Sequence, residues 1–144
     1  MPDRPIREII RQRRVIKATE QTTVTEAARL MKEHRVGAVL VVRKDHLVGI
    51  FTERDVVTRV VTENRDPLHT RLADVMTPNP RAMPPDKPFG HALIAMHEQG
   101  FRHMPVVDHG RVVGVVSMRD ALPPELDGLQ HDLEDREHIA EILG

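Results

Sequence analysis

The chain has 144 residues, a formal net charge of −1 at pH 7, and no Cys, Trp or Tyr. The absence of Cys excludes disulfides, thiolate catalysis and Cys-based zinc sites, and the aromatic content of 2 % removes the stacking platforms of single-stranded nucleic-acid binders. The near-neutral charge argues against general phosphate-backbone binding, and 40 % hydrophobic with 30 % charged residues describes a globular chain able to bury one core.

The opening "MPDRPIREII" lacks the apolar core of a secretory signal, and no run approaches membrane-spanning length, so a soluble cytoplasmic protein is expected. Residues 1–13 are predicted to be an N-terminal helical segment. Residues 1–17 carry six basic and two acidic side chains, whereas 121–144 carry one basic and seven acidic. Such runs are commonly solvated helical faces; the alternative is that the two ends attract each other.

A short strand is expected at "RVIKAT". Thr23-x-x-Glu26 is a capping-box signal, and Val24, Ala27, Ala28 and Met31 follow at helical spacing. "AVLVV" (38–42) and "LVGIFT" (47–52) read as a hairpin-like strand pair. Arg54 to about Glu63 reads as a helix with Val56, Val57, Val60 and Val61 inward, and 64–75 as a linker. "MTPNP" (76–80) is turn chemistry, and "PRAM" is a second leading strand. Phe89, Ala92, Leu93 and Met96 repeat the helical spacing, with Asp86 as the expected N-cap and Pro88 in the first turn. "MPVVD" and "VVGVVS" form a second strand pair. Pro123-Pro124 is expected to stop the helix that follows. The acidic tail 123–144 has a possible short amphipathic helix through Leu129, Leu133 and Ile142.

This grammar is written twice. Gly49 and Gly114, and likewise Asp55 and Asp120, are separated by 65 positions, and that offset aligns Val24–Asp55 with Phe89–Asp120 without a gap. Nine of the 32 aligned pairs are identical, among them Val41/Val106, Gly49/Gly114, Arg54/Arg119 and Asp55/Asp120. Two copies are too few for a solenoid and suggest a pseudo-two-fold pair.

At each strand-to-helix joint, "GIFTERD" and "GVVSMRD", a hydroxyl precedes an Asp by three residues. As a single instance this is nearly a capping box. Its recurrence, the short Asp where Glu or Gln serves a reciprocal box better, and a glycine inside each strand point further. A helix N-terminus suits phosphate, and a carboxylate suits a ribose diol.

"TVTEAARLMKEHRVGAVLVVRKDHLVGIFTERDVV" and "PFGHALIAMHEQGFRHMPVVDHGRVVGVVSMRDAL", with "DVMTPNP" between them, resemble a tandem pair of CBS domains, the regulatory Bateman module named after cystathionine β-synthase. The resemblance covers about residues 6–122. It implies an α/β fold of two pseudo-symmetric β-α-β-β-α repeats, over 14–63 and 76–122, packed as one module. It also implies an adenosine ligand (AMP, ADP, ATP, NAD(H) or S-adenosylmethionine) in the cleft between repeats, with the Asp on the ribose hydroxyls and the Ser or Thr near phosphate.

Carried over residue by residue, one site combines Thr52, Arg54 and Asp55 with Thr77, Arg81, Arg102, His103 and Met104. The other combines Ser117, Arg119 and Asp120 with Ile16, Lys17, Gly37 and Ala38. Arg54, Arg119, Arg102 and His103 are the expected phosphate partners. Glu53, where the second joint has Met118, is a departure from the pattern and is expected to face solvent.

The resemblance further implies a homodimer. With no effector domain in the chain, output is expected to pass to a separate partner protein. No catalytic cofactor or metal is expected. "HEQGFRH" (97–103) places its second His at i+6, not the i+4 of a zincin helix. No nucleophile–base–orienter set is legible, so an enzyme is not expected. The competing reading is a dimerisation scaffold without ligand; DNA binding through the basic N-terminal segment is opposed by the overall charge.

Overall fold

The computed structural model describes residues 4–143; Met1–Asp3, within the N-terminal segment, and Gly144 lie outside the described residues. Helix α1 (Ile6–Ile10) and strand β1 (Lys17–Ala18) lead into α2 (Val24–His34), β2 (Ala38–Arg43) and β3 (His46–Thr52). The α2 capping box forms as expected: Thr23 Oγ1 accepts from the Glu26 N–H at 3.2 Å, and Glu26 accepts from the Thr23 N–H at 3.2 Å. A short α3 (Glu53–Asp55) runs into a π-helical turn over Val56–Val61, followed by α4 (Leu72–Val75) and β4 (Thr77–Pro78). The second copy supplies α5 (Phe89–Gln99), β5 (His103–Asp108), β6 (Arg111–Ser117), a 3₁₀ turn over Met118–Asp120, and α6 (Pro123–Leu143).

The repeat is visible in the backbone. β2 pairs antiparallel with β3 and β5 with β6, and the pairing register shifts between Val41 and Val42 in one and between Val106 and Val107 in the other. The leading strand differs. β1 pairs parallel with β2, Ala18 opposite Val41, but its counterpart is a single parallel bridge between Met83 and Val106, so "PRAM" does not form a strand. The first sheet therefore has the order β1-β2-β3-β4, and the second holds β5-β6.

Each copy has its own core. Val24, Ala27, Met31, Val39, Val41 and Phe51 pack with Leu72 and Val75 of α4, so part of the segment after the first copy is buried structure. Phe89, Ala92, Leu93, Met96, Met104 and Val116 pack with Ile6, Ile9 and Ile10. Thus α1 covers the second copy as α4 covers the first. Between the copies, Ala38, Leu40, Ile50 and Val112 form a third cluster that joins the sheets.

Four expectations are corrected. Asp86 does not cap α5: Pro88 holds the N-cap position without a side-chain bond. Its fixed φ suits a helix start without any cap oxygen. Of the four valines after the first joint only Val60 is buried, while Val57 and Val61 are 56 % and 63 % exposed. The π-helical turn changes the 3.6-residue phase on which their inward reading rested. The helical turn after the second joint stops at Asp120 as expected, but Pro123-Pro124 then begin a new helix, the 21-residue α6 in place of a short one, and at a helix start a proline's missing N–H costs nothing. Leu129 of α6 is buried and Leu133 packs beside it, whereas Ile142 is 69 % exposed.

Candidate functional site

Both joints are built alike. Thr52 ends β3 in extended conformation, and its Oγ1 accepts the Asp55 N–H at 3.3 Å. Asp55 Oδ2 accepts the Thr52 N–H at 2.9 Å and the Thr52 hydroxyl at 3.1 Å. In the second joint Asp120 Oδ2 accepts the Ser117 N–H at 2.7 Å, with Ser117 Oγ at 3.5 Å. The reciprocal box thus closes with Asp, although Glu or Gln serves such a box better. The first amide of each turn is pinned across the copy: Glu53 N–H to the Gly37 carbonyl at 3.0 Å, and Met118 N–H to the Arg102 carbonyl at 3.1 Å.

Each carboxylate keeps one oxygen outside its box, and an arginine meets it. Arg59 Nε lies 3.5 Å from Asp55 Oδ1, and Arg13 Nη2 donates to Asp120 Oδ1 at 2.6 Å. Asp55 is 8 % exposed. Burial at a helix start favours hydrogen-bonded charge, and the box and the arginines together supply it.

A cleft opens at each joint. The Ser117 cleft, about 470 Å³, brings together Ser117, Arg119, Asp120, Ile16, Gly37 and Ala38. The Thr52 cleft, about 680 Å³, brings together Thr52, Arg54, Asp55, Thr77, Arg81, Arg102 and His103. Both volumes lie in the range of small-molecule sites. Two expected residues are not at these walls. The Met104 side chain is fully buried in the second core, because alternation along β5 turns it inward. Lys17 donates instead to Asp45 Oδ1 at 2.6 Å and takes no part in the Ser117 cleft.

Sequence reasoning missed Arg13, Arg14, His34, Arg35 and Val36 in the Ser117 cleft, and Arg59, Pro80 and Phe101 in the other. The repeat offset held a signal for one of them: Arg35 stands where the second copy has Gly100, and both close their helices in the left-handed conformation, at φ 55° and 74°. A non-glycine residue there costs about 1 kcal/mol.

Glu53 corrects an expectation: it is exposed, yet it lines both clefts instead of turning away from them. A Cβ on Gly37 would lie 2.9 Å from Glu53 Oε1 and 3.2 Å from His103 Nε2, so the missing side chain makes room for this wall. Burial holds the His103 pKa below the ordinary value of 6.5; the nearby Glu53 and Asp120 charges work in the opposite direction. The in-strand glycines prove to serve packing. A Cβ on Gly49 would overlap Met76 Sδ, and one on Gly114 would meet Ile10 Cγ2 at 2.7 Å.

Fold and site together define a two-copy α/β module with one cleft at each strand-to-helix joint. The chain belongs to the CBS domain family, which it matches over residues 6–62 and 72–123. It is 37 % identical over 134 residues to the meiotically up-regulated gene 70 protein of Schizosaccharomyces pombe, a match covering 85 % of this chain and 18 % of that protein. It is 42 % identical over 106 residues to an Arabidopsis thaliana CBS domain-containing protein, covering 73 % and 20 %. The chain thus spans about a fifth of the length of these two relatives.

Among solved structures, a CBS domain protein from Pyrobaculum aerophilum complexed with AMP superposes with a TM-score of 0.78 at 25 % identity, covering 88 % of this chain and 98 % of that one. The CBS domain pair of protein MJ0100, in complex with 5′-methylthioadenosine and S-adenosyl-L-methionine, gives 0.75 at 28 % identity, covering 83 % and 93 %. Among the described residues no helix is long and apolar enough to cross a membrane.

Proposed function

We propose that the protein is a regulatory module, not an enzyme, that senses an adenine nucleotide in the clefts between its repeats. The carrying observation is the duplicated joint, which sets a hydroxyl, an arginine and an aspartate at the wall of each cleft. In this reading Asp55 and Asp120 take the ribose diol, and Arg54, Arg119, Arg102 and His103 meet phosphate. The complexes of the Pyrobaculum and MJ0100 proteins with adenosine compounds support it. The protein acts as a cytoplasmic homodimer and passes the ligand signal to a separate protein partner.

A second reading, a scaffold that binds nothing, has one observation in its favour: in both joints the Asp already accepts the backbone N–H of the hydroxyl residue without a ligand. Calorimetry with AMP, ADP, ATP, NAD(H) and S-adenosylmethionine on nucleotide-stripped protein separates the two. Binding by at least one, accompanied by a rise in melting temperature, is the expected result. Silence from all five at millimolar concentration leaves the scaffold.

A further inference from the structure

We infer that Arg13 makes the Ser117 cleft selective for phosphorylated over uncharged adenosine compounds, an inference that rests on the nucleotide reading above. Both oxygens of Asp120 are engaged. Oδ2 belongs to the capping box, and Oδ1 accepts from Arg13 Nη2 at 2.6 Å. The Asp120 side chain is only 10 % exposed, whereas that of Arg13 is 48 % exposed. The oxygen that a ribose hydroxyl needs is therefore covered by a cation lying on the open side of the cleft.

An uncharged nucleoside reaches Oδ1 only by breaking this charge-assisted bond, and it leaves the guanidinium without its carboxylate partner. A nucleotide brings its own anion into the same cleft. Arg13 then moves from carboxylate to phosphate, and the number of ion pairs is conserved. Arg14, Arg35, Arg102 and Arg119 also line this cleft and add to the attraction for phosphate, which the acid Glu53 opposes. Arg13 lies in the segment between α1 and β1 with its side chain half exposed, which leaves room for the guanidinium to turn toward a phosphate.

The other cleft lacks this device. Arg59 Nη1 donates to the carbonyls of Val75 at 3.3 Å and Met76 at 2.9 Å. Only its Nε approaches Asp55 Oδ1, at 3.5 Å. Asp55 is thus covered loosely, by a cation that is tied down and cannot follow a phosphate. The two clefts sort ligands differently: the Thr52 cleft admits uncharged adenosine compounds, and the Ser117 cleft demands a phosphate.

Amide NMR shifts of Gly114 and Ser117 report the Ser117 cleft alone, so adenosine and AMP are titrated into wild-type protein and Arg13→Gln with these probes. The variant should bind adenosine roughly fivefold more tightly, the upper range for a half-exposed ion pair, and AMP more weakly. In the wild type, added salt should strengthen adenosine binding while weakening that of AMP, because it screens the covering pair. That arm needs no variant to fold. Unchanged adenosine affinity in Arg13→Gln with reduced AMP affinity makes Arg13 a simple phosphate contact and overturns the inference alone. If neither compound moves these amides at millimolar concentration in either protein, the inference falls at the Ser117 cleft, while calorimetry with the five ligands decides the nucleotide reading separately.

Discussion

Arg4 forks onto Glu125 across 121 positions of sequence, Nε to Oε2 at 3.0 Å and Nη2 to Oε1 at 2.9 Å. The same Nη2 donates to the Asp120 carbonyl at 2.7 Å, and the guanidinium lies 5.5 Å from the Phe89 ring centroid. One side chain thereby ties the N-terminal arm, the start of α6 and the second joint together. The basic and acidic ends of the chain do meet, but through this one specific pair, while Arg13 reaches Asp120 just before the acidic end and most acids of α6 stay in solvent.

The fork sets a pH dependence. The hydrogen bond to Glu125 raises the Arg4 pKa against the opposing effect of burial. Burial acts to raise the Glu125 pKa, but the bonds from Arg4 and the Leu122 N–H outweigh it and hold it below the usual 4.5. A carboxylate with a depressed folded pKa stabilises fully above its unfolded value and loses that stabilisation as pH falls through the folded one. Glu125→Gln should cost about 1 kcal/mol at neutral pH. It should also flatten the acid limb of the melting profile. An acid limb identical to the wild type would show that Glu125 does not carry it.

Asp55→Asn and Asp120→Asn separate capping from ligand recognition. Asparagine still offers an oxygen to the Thr52 or Ser117 amide, so stability should fall by less than about 1 kcal/mol. The lost charge should weaken adenine-nucleotide binding at the altered cleft by roughly tenfold or more. Calorimetry and thermal melts on the same samples give both numbers. A lowered melting temperature with intact affinity would reduce the joints to caps.

Two glycines should respond differently to alanine. At Gly114 the new Cβ meets Ile10 at 2.7 Å to Cγ2 and 2.9 Å to Cβ, a stiff β-branched contact on α1. The cost should be roughly 1–3 kcal/mol by chemical denaturation. At Gly37 the nearest obstacle is the exposed, flexible end of Glu53. Gly37→Ala should cost less, and equal losses at the two positions would contradict this packing.

We propose that the homodimer is held through the exposed Val57 and Val61. Replacing both with Glu should turn a dimer into a monomer by light scattering at tens of micromolar (a rough range for stable dimers), with the circular dichroism unchanged. A monomeric wild type at that concentration would refute the assembly outright.

Periodicity and repetition made much of this legible in advance. The spacing of Val24, Ala27 and Met31, the two β-branched runs per copy, and the 65-residue offset set helix, hairpin and pseudo-symmetry, because these depend on local patterns of two and 3.6 residues. The joint residues were legible too, since a hydroxyl and an aspartate three apart interact within one turn. What the residue patterns by themselves could not decide was which side chains meet across the packed copies. That Arg13 lies on Asp120, that Ile10 fills the space Gly114 leaves, that Met104 turns inward, and that Glu53 stands between two clefts follow from how the copies pack. The phase of Val57 and Val61 was lost for a related reason: a π-helical turn shifts the hydrogen-bond ladder by one residue, and residue spacing alone does not record that shift.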